Sequence, residues 1–121
     1  MPADSRNKGY KNHFKEGQEI VLATASKSGA PNANIVVSLG FIDDYILVAD
    51  CAMKKTIKNL KENPGICVVG GYFRITGKVK IFSSGKYFDI CVTKSKGYTV
   101  KNAILISVKK VFDLENMKSV Q

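Results

Sequence analysis

Apolar residues recur along this chain in two rhythms, and the switches between them mark its elements. GYKNHFKEGQ (9–18) is weakly amphipathic, with Tyr10 and Phe14 four apart, and predicts a short helix. Then EIVLATA (19–25), PNANIVVSLGF (31–41) and YILVAD (45–50) read as three strands. They are separated by SKSG, whose Gly29 suits the positive φ of a hairpin turn, and by the turn-forming pair Asp43-Asp44. Pro31 is tolerated as a first strand residue. Short turns between consecutive strands predict an antiparallel meander, since parallel strands need long crossovers.

Helical spacing returns in CAMKKTIKNLKENPG (51–65), where Ile57 and Leu60 share a face and Asn63-Pro64-Gly65 is a stop signal. GICVVGGYFRITGKVKIF (65–82) is too long for one ordinary strand, so Gly70-Gly71 predicts a turn or bulge between two. In its second half Phe73, Ile75, Val79 and Ile81 alternate with Tyr72, Arg74, Thr76, Lys78 and Lys80, as in a half-buried strand. SSGKYFDICVTKSKG (83–97) predicts a third helix, with Ser83 or Ser84 as cap and Gly97 as its end. NAILISVKKVFDL (102–114) is the last strand. The expectation is a mainly β domain spanning residues 1–121, with about six strands in a closed or nearly closed small barrel whose gaps two or three short helices cover.

Composition narrows the class. A chain of 121 residues with 45% hydrophobic and 24% charged positions has enough core to fold as one domain without a metal or disulfide staple. No apolar run approaches the roughly 20 residues of a membrane helix, and MPADSRNKGYKNHFKEGQ lacks the apolar centre of a signal peptide. A cytoplasmic protein with no membrane partner is expected. Cys51, Cys67 and Cys91 form no CxxC pair and are odd in number, against a disulfide framework or zinc site; Cys67 and Cys91 sit in apolar runs and read as core. Nineteen basic against ten acidic residues give a net charge of +9, which favours an anionic partner without choosing one.

Familiar catalytic patterns are missing. His13 is the single histidine, placed in a polar segment where solvation is the expectation, and there is no glycine-rich phosphate loop of known spacing. Any redox or transfer chemistry must therefore come from a cofactor. The start of the 51–65 helix is the exception. Lys54 and Lys55 stand where the helix dipole is positive and cations are disfavoured, and an anion there would reverse the sign. Both ammonium groups, the Thr56 hydroxyl and the free first-turn N–H groups could converge on one phosphate. Asn59 shares the Thr56 face, and Lys54, Lys58 and Lys61 form a separate stripe.

The ordered set ATASKSGAPN, YILVAD, KKTIKNLKENP and FRITGKVKIF resembles the FMN-binding split-barrel superfamily, the pyridoxamine 5′-phosphate oxidase-like proteins, over about residues 15–113. The resemblance implies a six-stranded antiparallel Greek-key barrel that forms a homodimer with FMN in grooves between subunits. It implies that Lys54, Lys55 and Thr56, with Asn59 nearby, hold the phosphate. Asn34, Ile35, Val36 and Val37 would run along the flavin, and Ala49, Asp50 and Cys51 would contact its ring system largely through backbone groups. Residues near Tyr72–Arg74 of the other subunit would complete the groove. No partner base marks Cys51 as a nucleophile.

The final DLENMKSVQ carries neither arginine nor histidine, so pyridoxamine 5′-phosphate oxidase activity itself is not expected, and the solitary His13 disfavours a haem role. The leading expectation is an FMN protein acting in electron transfer or as a small flavin-dependent oxidoreductase, with its electron donor or acceptor unspecified. The deazaflavin F420 is the alternative cofactor on the same fold. A second class is a basic barrel binding single-stranded nucleic acid through Tyr72, Arg74, Lys78 and Lys80; concentrated phosphate chemistry at 54–56 argues against it.

Overall fold

The computed structural model describes residues 9–120. It is built on one antiparallel sheet of eight strands: β1 Glu19–Ala25, β2 Pro31–Val37, β3 Phe41–Ile42, β4 Tyr45–Asp50, β5 Gly65–Gly70, β6 Phe73–Phe82, β7 Asn102–Asp113 and β8 Lys118–Val120. Strand order is β2-β1-β5-β6-β7-β4-β3, with β8 added beside β7. Two α-helices accompany it, α1 Lys54–Glu62 between β4 and β5 and α2 Lys86–Lys94 between β6 and β7, and a short 3-10 turn covers Tyr10–His13. The mainly β, antiparallel class agrees with the sequence reading.

The expected count of six strands and the closed ring do not hold. The segment 31–41 breaks at Ser38–Gly40, so its end becomes the separate strand β3, and the three-strand meander becomes two hairpins. The break has a local cause. Ser38 is fully buried; its hydroxyl donates to the Phe14 carbonyl (2.6 Å) and accepts from the Gly40 N–H (3.0 Å), while Gly40 takes φ +94°. Backbone bonds then point both ways from the kink, Ser38 to Gly17 and Gln18, Leu39 and Gly40 to Leu47. The ladder ends there, leaving β2 and β3 at the two ends of the path. β8 arises because the buried Asp113 carboxylate accepts from the N–H groups of Glu115 and Asn116 and from the Asn116 amide, turning the chain back on β7.

Inside the curl of the sheet, Phe14, Leu22, Ile46, Val48, Ile75, Ile104 and Ile106 are fully buried, and Leu60 brings α1 onto the same core. α2 packs outside β4 and β7, where Leu47, Ala103, Leu105 and Cys91 meet Phe82 and Phe88. β4 and β7 are therefore covered on both sides, which is why they read as nearly unbroken apolar runs. At roughly 1.5–3 kcal/mol per fully buried large apolar side chain, this double layer is the main source of stability.

Several local expectations change. α2 starts at the N-cap Gly85, φ +95°, with no side-chain cap bond, so neither Ser83 nor Ser84 caps it. Cys91 is core, its thiol pushed up to about 11 chiefly by burial, whereas Cys67 lies half-buried on the outer side of β5. His13 is half-buried too, its ring 5.4 Å from that of Phe73. The Gly70-Gly71 turn accounts for it: a Cβ on Gly70 would lie 2.6 Å from the His13 carbonyl, and one on Gly71 2.4 Å from the imidazole Nδ1. The glycines let the N-terminal segment close that end of the barrel.

β6 bends at a bulge between Thr76 and Gly77, where β7 approaches so closely that a Cβ on Gly77 would sit 2.0 Å from the Ser107 carbonyl. Gly77→Ala is expected to cost about 2–3 kcal/mol of stability, the upper part of the range for overpacking, because both clashing atoms are backbone-fixed. Urea denaturation checks this; an unchanged midpoint would contradict it.

Candidate functional site

Asp50 determines where α1 begins. Its carboxylate is 3% exposed; Oδ1 accepts from the Met53 N–H and Oδ2 from the Asn102 amide, each at 2.7 Å. The chain leaving β4 is held in a turn, Met53 becomes the N-cap, and the helix starts at Lys54. Met53 contributes no capping side-chain bond and the first turn holds no acid. The first bond across the helix start runs from the Ile57 N–H to the Met53 carbonyl (2.9 Å), so the N–H groups of Lys54, Lys55 and Thr56 have no acceptor within the helix. Both lysine side chains are exposed at this end. Two cations and three free donors therefore occupy the positive pole of a nine-residue helix.

Thr56 is turned inward, 1% exposed. Its hydroxyl donates to Asn34 Oδ1 and accepts from the Asn32 amide (3.2 Å), which also donates to Asn34 (3.1 Å). This triangle ties β2 to α1. Asn59 is likewise 1% exposed: its amide donates to the Thr24 hydroxyl (3.1 Å) on β1, and its Oδ1 has no partner. Thr56 and Asn59 share a face, as their spacing required, but that face is the one packed on the sheet. Asn32 was not singled out by the sequence; its place two residues before Asn34, at strand spacing, was the only signal available.

Beside the helix start lies a groove of about 600 Å3. Asn34, Ile35, Val36 and Val37 form one wall, and Ala49 and Cys51 line it from the end of β4 and the residue after it. Six of the eleven sequence-selected residues are thus brought together. Lys54 and Asp50 instead line a separate hollow on the other side of Met53. Alternating residues of β2 all reach the groove because β2 is an edge strand and the groove wraps its free side. Half of its backbone N–H and C=O groups face away from β1 and are available to a planar polar ligand. The sequence missed Lys94, Ser95 and Tyr98, which reach the opposite lip from the end of α2; Tyr98 is 74% exposed.

Cys51 is half-buried in this groove, its thiol raised by burial and by the neighbouring Asp50 charge. A raised thiol is protonated near neutrality and is a poor nucleophile. Arg74, Lys78 and Lys80 share the outer face of β6 as expected, whereas Tyr72 lies in the turn before it; the Arg74 guanidinium is 4.9 Å from the Phe112 ring centre. His13 does not line the groove. Among the described residues no cluster of three or more His, Cys, Asp or Glu could hold a metal, and no helix is long and apolar enough to cross a membrane.

Iodoacetamide labelling of Cys51, followed by peptide mass spectrometry, is expected to be slow at pH 7, to rise about tenfold per pH unit with the thiolate fraction, and to be still rising at the thiol's ordinary 9.0. Rapid labelling at pH 7 would contradict the electrostatics described.

Comparison with known proteins places these features in a family. An uncharacterized protein of Methanocaldococcus jannaschii is 26% identical over 113 residues, covering 84% of this chain and 76% of its own. The fold is shared with HupZ of Group A Streptococcus (TM-score 0.83, 20% identity, 94% of this chain and 98% of that one). It is also shared with an FMN-binding protein of Syntrophomonas wolfei (0.71, 18%, 90% and 88%) and with an F420 reductase (0.66, 15%, 87% and 97%). Residues 10–115 match the sequence pattern of pyridoxamine 5′-phosphate oxidase, and the chain belongs to that split-barrel family.

Proposed function

We propose that this protein binds FMN and works as a small flavin-dependent oxidoreductase or electron carrier. The observation that carries the reading is the uncapped, dilysine start of α1 set against the apolar groove along the free edge of β2. The residues fit the cofactor's parts. Lys54, Lys55 and the first-turn N–H groups, which follow directly on the groove residues Ala52 and Met53 without lining the groove themselves, suit its phosphate. A groove of about 600 Å3 is within the usual small-molecule range, and its Ile35, Val36, Val37 and Ala49 walls suit a flat apolar ring system. The FMN-binding neighbour of the same fold supports the same ligand. When bound, FMN supplies hydride or single-electron transfer.

The chain's own residues then bind and position. Thr56 acts through its N–H toward the phosphate, while its hydroxyl, with Asn32 and Asn34, holds β2 against α1. Cys51 lines the groove as a neutral thiol. The deazaflavin F420 is the second reading, favoured by the F420 reductase among the fold relatives, because it asks the same of the site.

A homodimer completes the proposal. Across five strands, Ile35, Val21, Val69, Arg74 and Phe112 are register partners in one row on the outer face of the sheet. Ile35 is 74% exposed, and Val37 and Tyr72 are also open to solvent. A second copy covering this row would bury those side chains and bring its own residues to the groove rim. The row crosses the face that a nucleic acid would need, and Arg74 is already stacked on Phe112.

Titration with FMN, followed by flavin fluorescence quenching, tests the site. Lys55→Ala is expected to weaken binding about 10- to 100-fold with the fold intact, the scale of one charge-assisted bond. Thr56→Ala, by contrast, is expected to lower stability as well, since it removes two of the three bonds of the Asn32–Asn34–Thr56 triangle that ties β2 to α1. Unchanged affinity in Lys55→Ala would move the phosphate elsewhere, and mass identification of the cofactor released on denaturation separates FMN from F420. Light scattering is expected to give a dimer that Ile35→Glu dissociates; a monomeric wild type would refute the dimer.

A further inference from the structure

On the opposite side of Met53 from the groove lies a hollow of about 400 Å3, between α1 and the ends of β4 and β7. Its floor is apolar, formed by Met53 and Ile57. Its rim carries four lysines, Lys54, Lys58 and Lys61 from successive turns of α1 and Lys101 from the approach to β7. Among the described residues none of the four forms an ion pair, and they outnumber the acids of the lining four to one. Asp50 is the one acid in the lining, and both its oxygens are committed, to the Met53 N–H and the Asn102 amide. Glu62, the single acid of α1, accepts instead from the Lys27 N–H (2.9 Å). Neither ion pair among the described residues, Lys86–Asp43 or Lys94–Glu16, involves this rim.

Like charges three and four residues apart destabilise a helix, and here they add to the cost of cations at its positive end. A fourth cation arrives from a separate element, so the arrangement is not simply a solvated helix face. Four ammonium groups around one concavity sum to a focused positive potential. Ammonium groups are compact, rotatable donors that accept phosphate or carboxylate without demanding a fixed geometry. One negative charge would leave the rim largely uncompensated; several would not, and the Met53–Ile57 floor offers a surface for a short carbon skeleton.

We infer that this hollow binds a small organic polyanion, a metabolite carrying two or more phosphate or carboxylate groups, at a site separate from the cofactor groove. Lys58, Lys61 and Lys101 line the hollow and not the groove, and the two linings share only Ala52 and Met53; Lys54, in the hollow's lining, is the one cation that this inference and the flavin reading on which it borders both use. Occupancy would tighten the start of α1.

Calorimetric titration of the full chain with inorganic tripolyphosphate and with citrate tests the inference, alongside FMN titration. One saturable site per chain is expected for at least one probe. Lys58→Glu/Lys61→Glu should weaken it at least 30-fold, while the control Lys110→Glu/Lys118→Glu, an equal charge change on exposed β7 and β8 positions, should stay within threefold. FMN affinity should remain within threefold in the groove-independent Lys58→Glu/Lys61→Glu protein. If that variant does not fold, Lys101→Glu, outside the helix, takes its place. Non-saturable binding, or equal weakening in both double variants, would show a diffuse field and overturn the site. Loss of FMN binding in Lys58→Glu/Lys61→Glu would overturn its separateness. A wild type that binds tripolyphosphate but no flavin would sink the flavin reading and leave this one standing.

Discussion

The buried carboxylate of Asp50 is the constraint on which the rest of the site depends. It ends β4, holds the Met53 N–H, and ties the turn to Asn102 at the start of β7, so three elements are located by one side chain. A carboxylate out of water is tolerated only when its oxygens are bonded, and here both are. Because its bond goes to the N-cap residue and not into the first turn, the helix donors stay free. The helix pole and the lysines that follow are consequently presented to solvent beside the groove, where Asp50 as a direct cap would have closed them.

The frame around that site works by leaving one edge open. Ser38 and Gly40 break the second strand, which stops the ladder from closing and exposes the side of β2. Gly70, Gly71 and Gly77 permit close approaches elsewhere, sealing one barrel end with the His13–Phe14 segment and tightening β6 against β7. An edge strand carrying exposed Ile35 and Val37 is an aggregation hazard unless something covers it. A ring system in the groove and a second copy on the outer row would cover it from both sides, so the cofactor and dimer proposals answer the same physical need.

Charge is distributed with similar logic. The surplus of basic residues is not spread evenly: α1 carries four lysines and one acid, and that acid accepts from the Lys27 N–H and forms no ion pair with them. On either side of Met53 the lining differs, apolar with a strand edge on one side and ringed by ammonium groups on the other. Met53 and the lysine after it separate a place for a flat cofactor from a place for a charged one.

The alternation of β6, the apolar runs of β4 and β7, the helical spacing at 54–62 with its Asn-Pro stop, and the dilysine start of α1 were legible from the amino-acid order, because they depend on contacts a few residues apart. So was the family, through the order of four short motifs. The groove wall at Asn34–Val37 with Ala49 and Cys51 came through that resemblance. Tertiary structure alone decided the rest. Only folding shows that Ser38 bonds a carbonyl 24 residues away and splits a strand. Only folding turns Thr56 and Asn59 inward onto β1 and β2, packs His13 on Phe73, and lets Lys101 join a stripe on a distant helix. Periodicity specifies which faces a segment has. Which neighbour meets each face depends on long-range packing, and no local pattern encodes that.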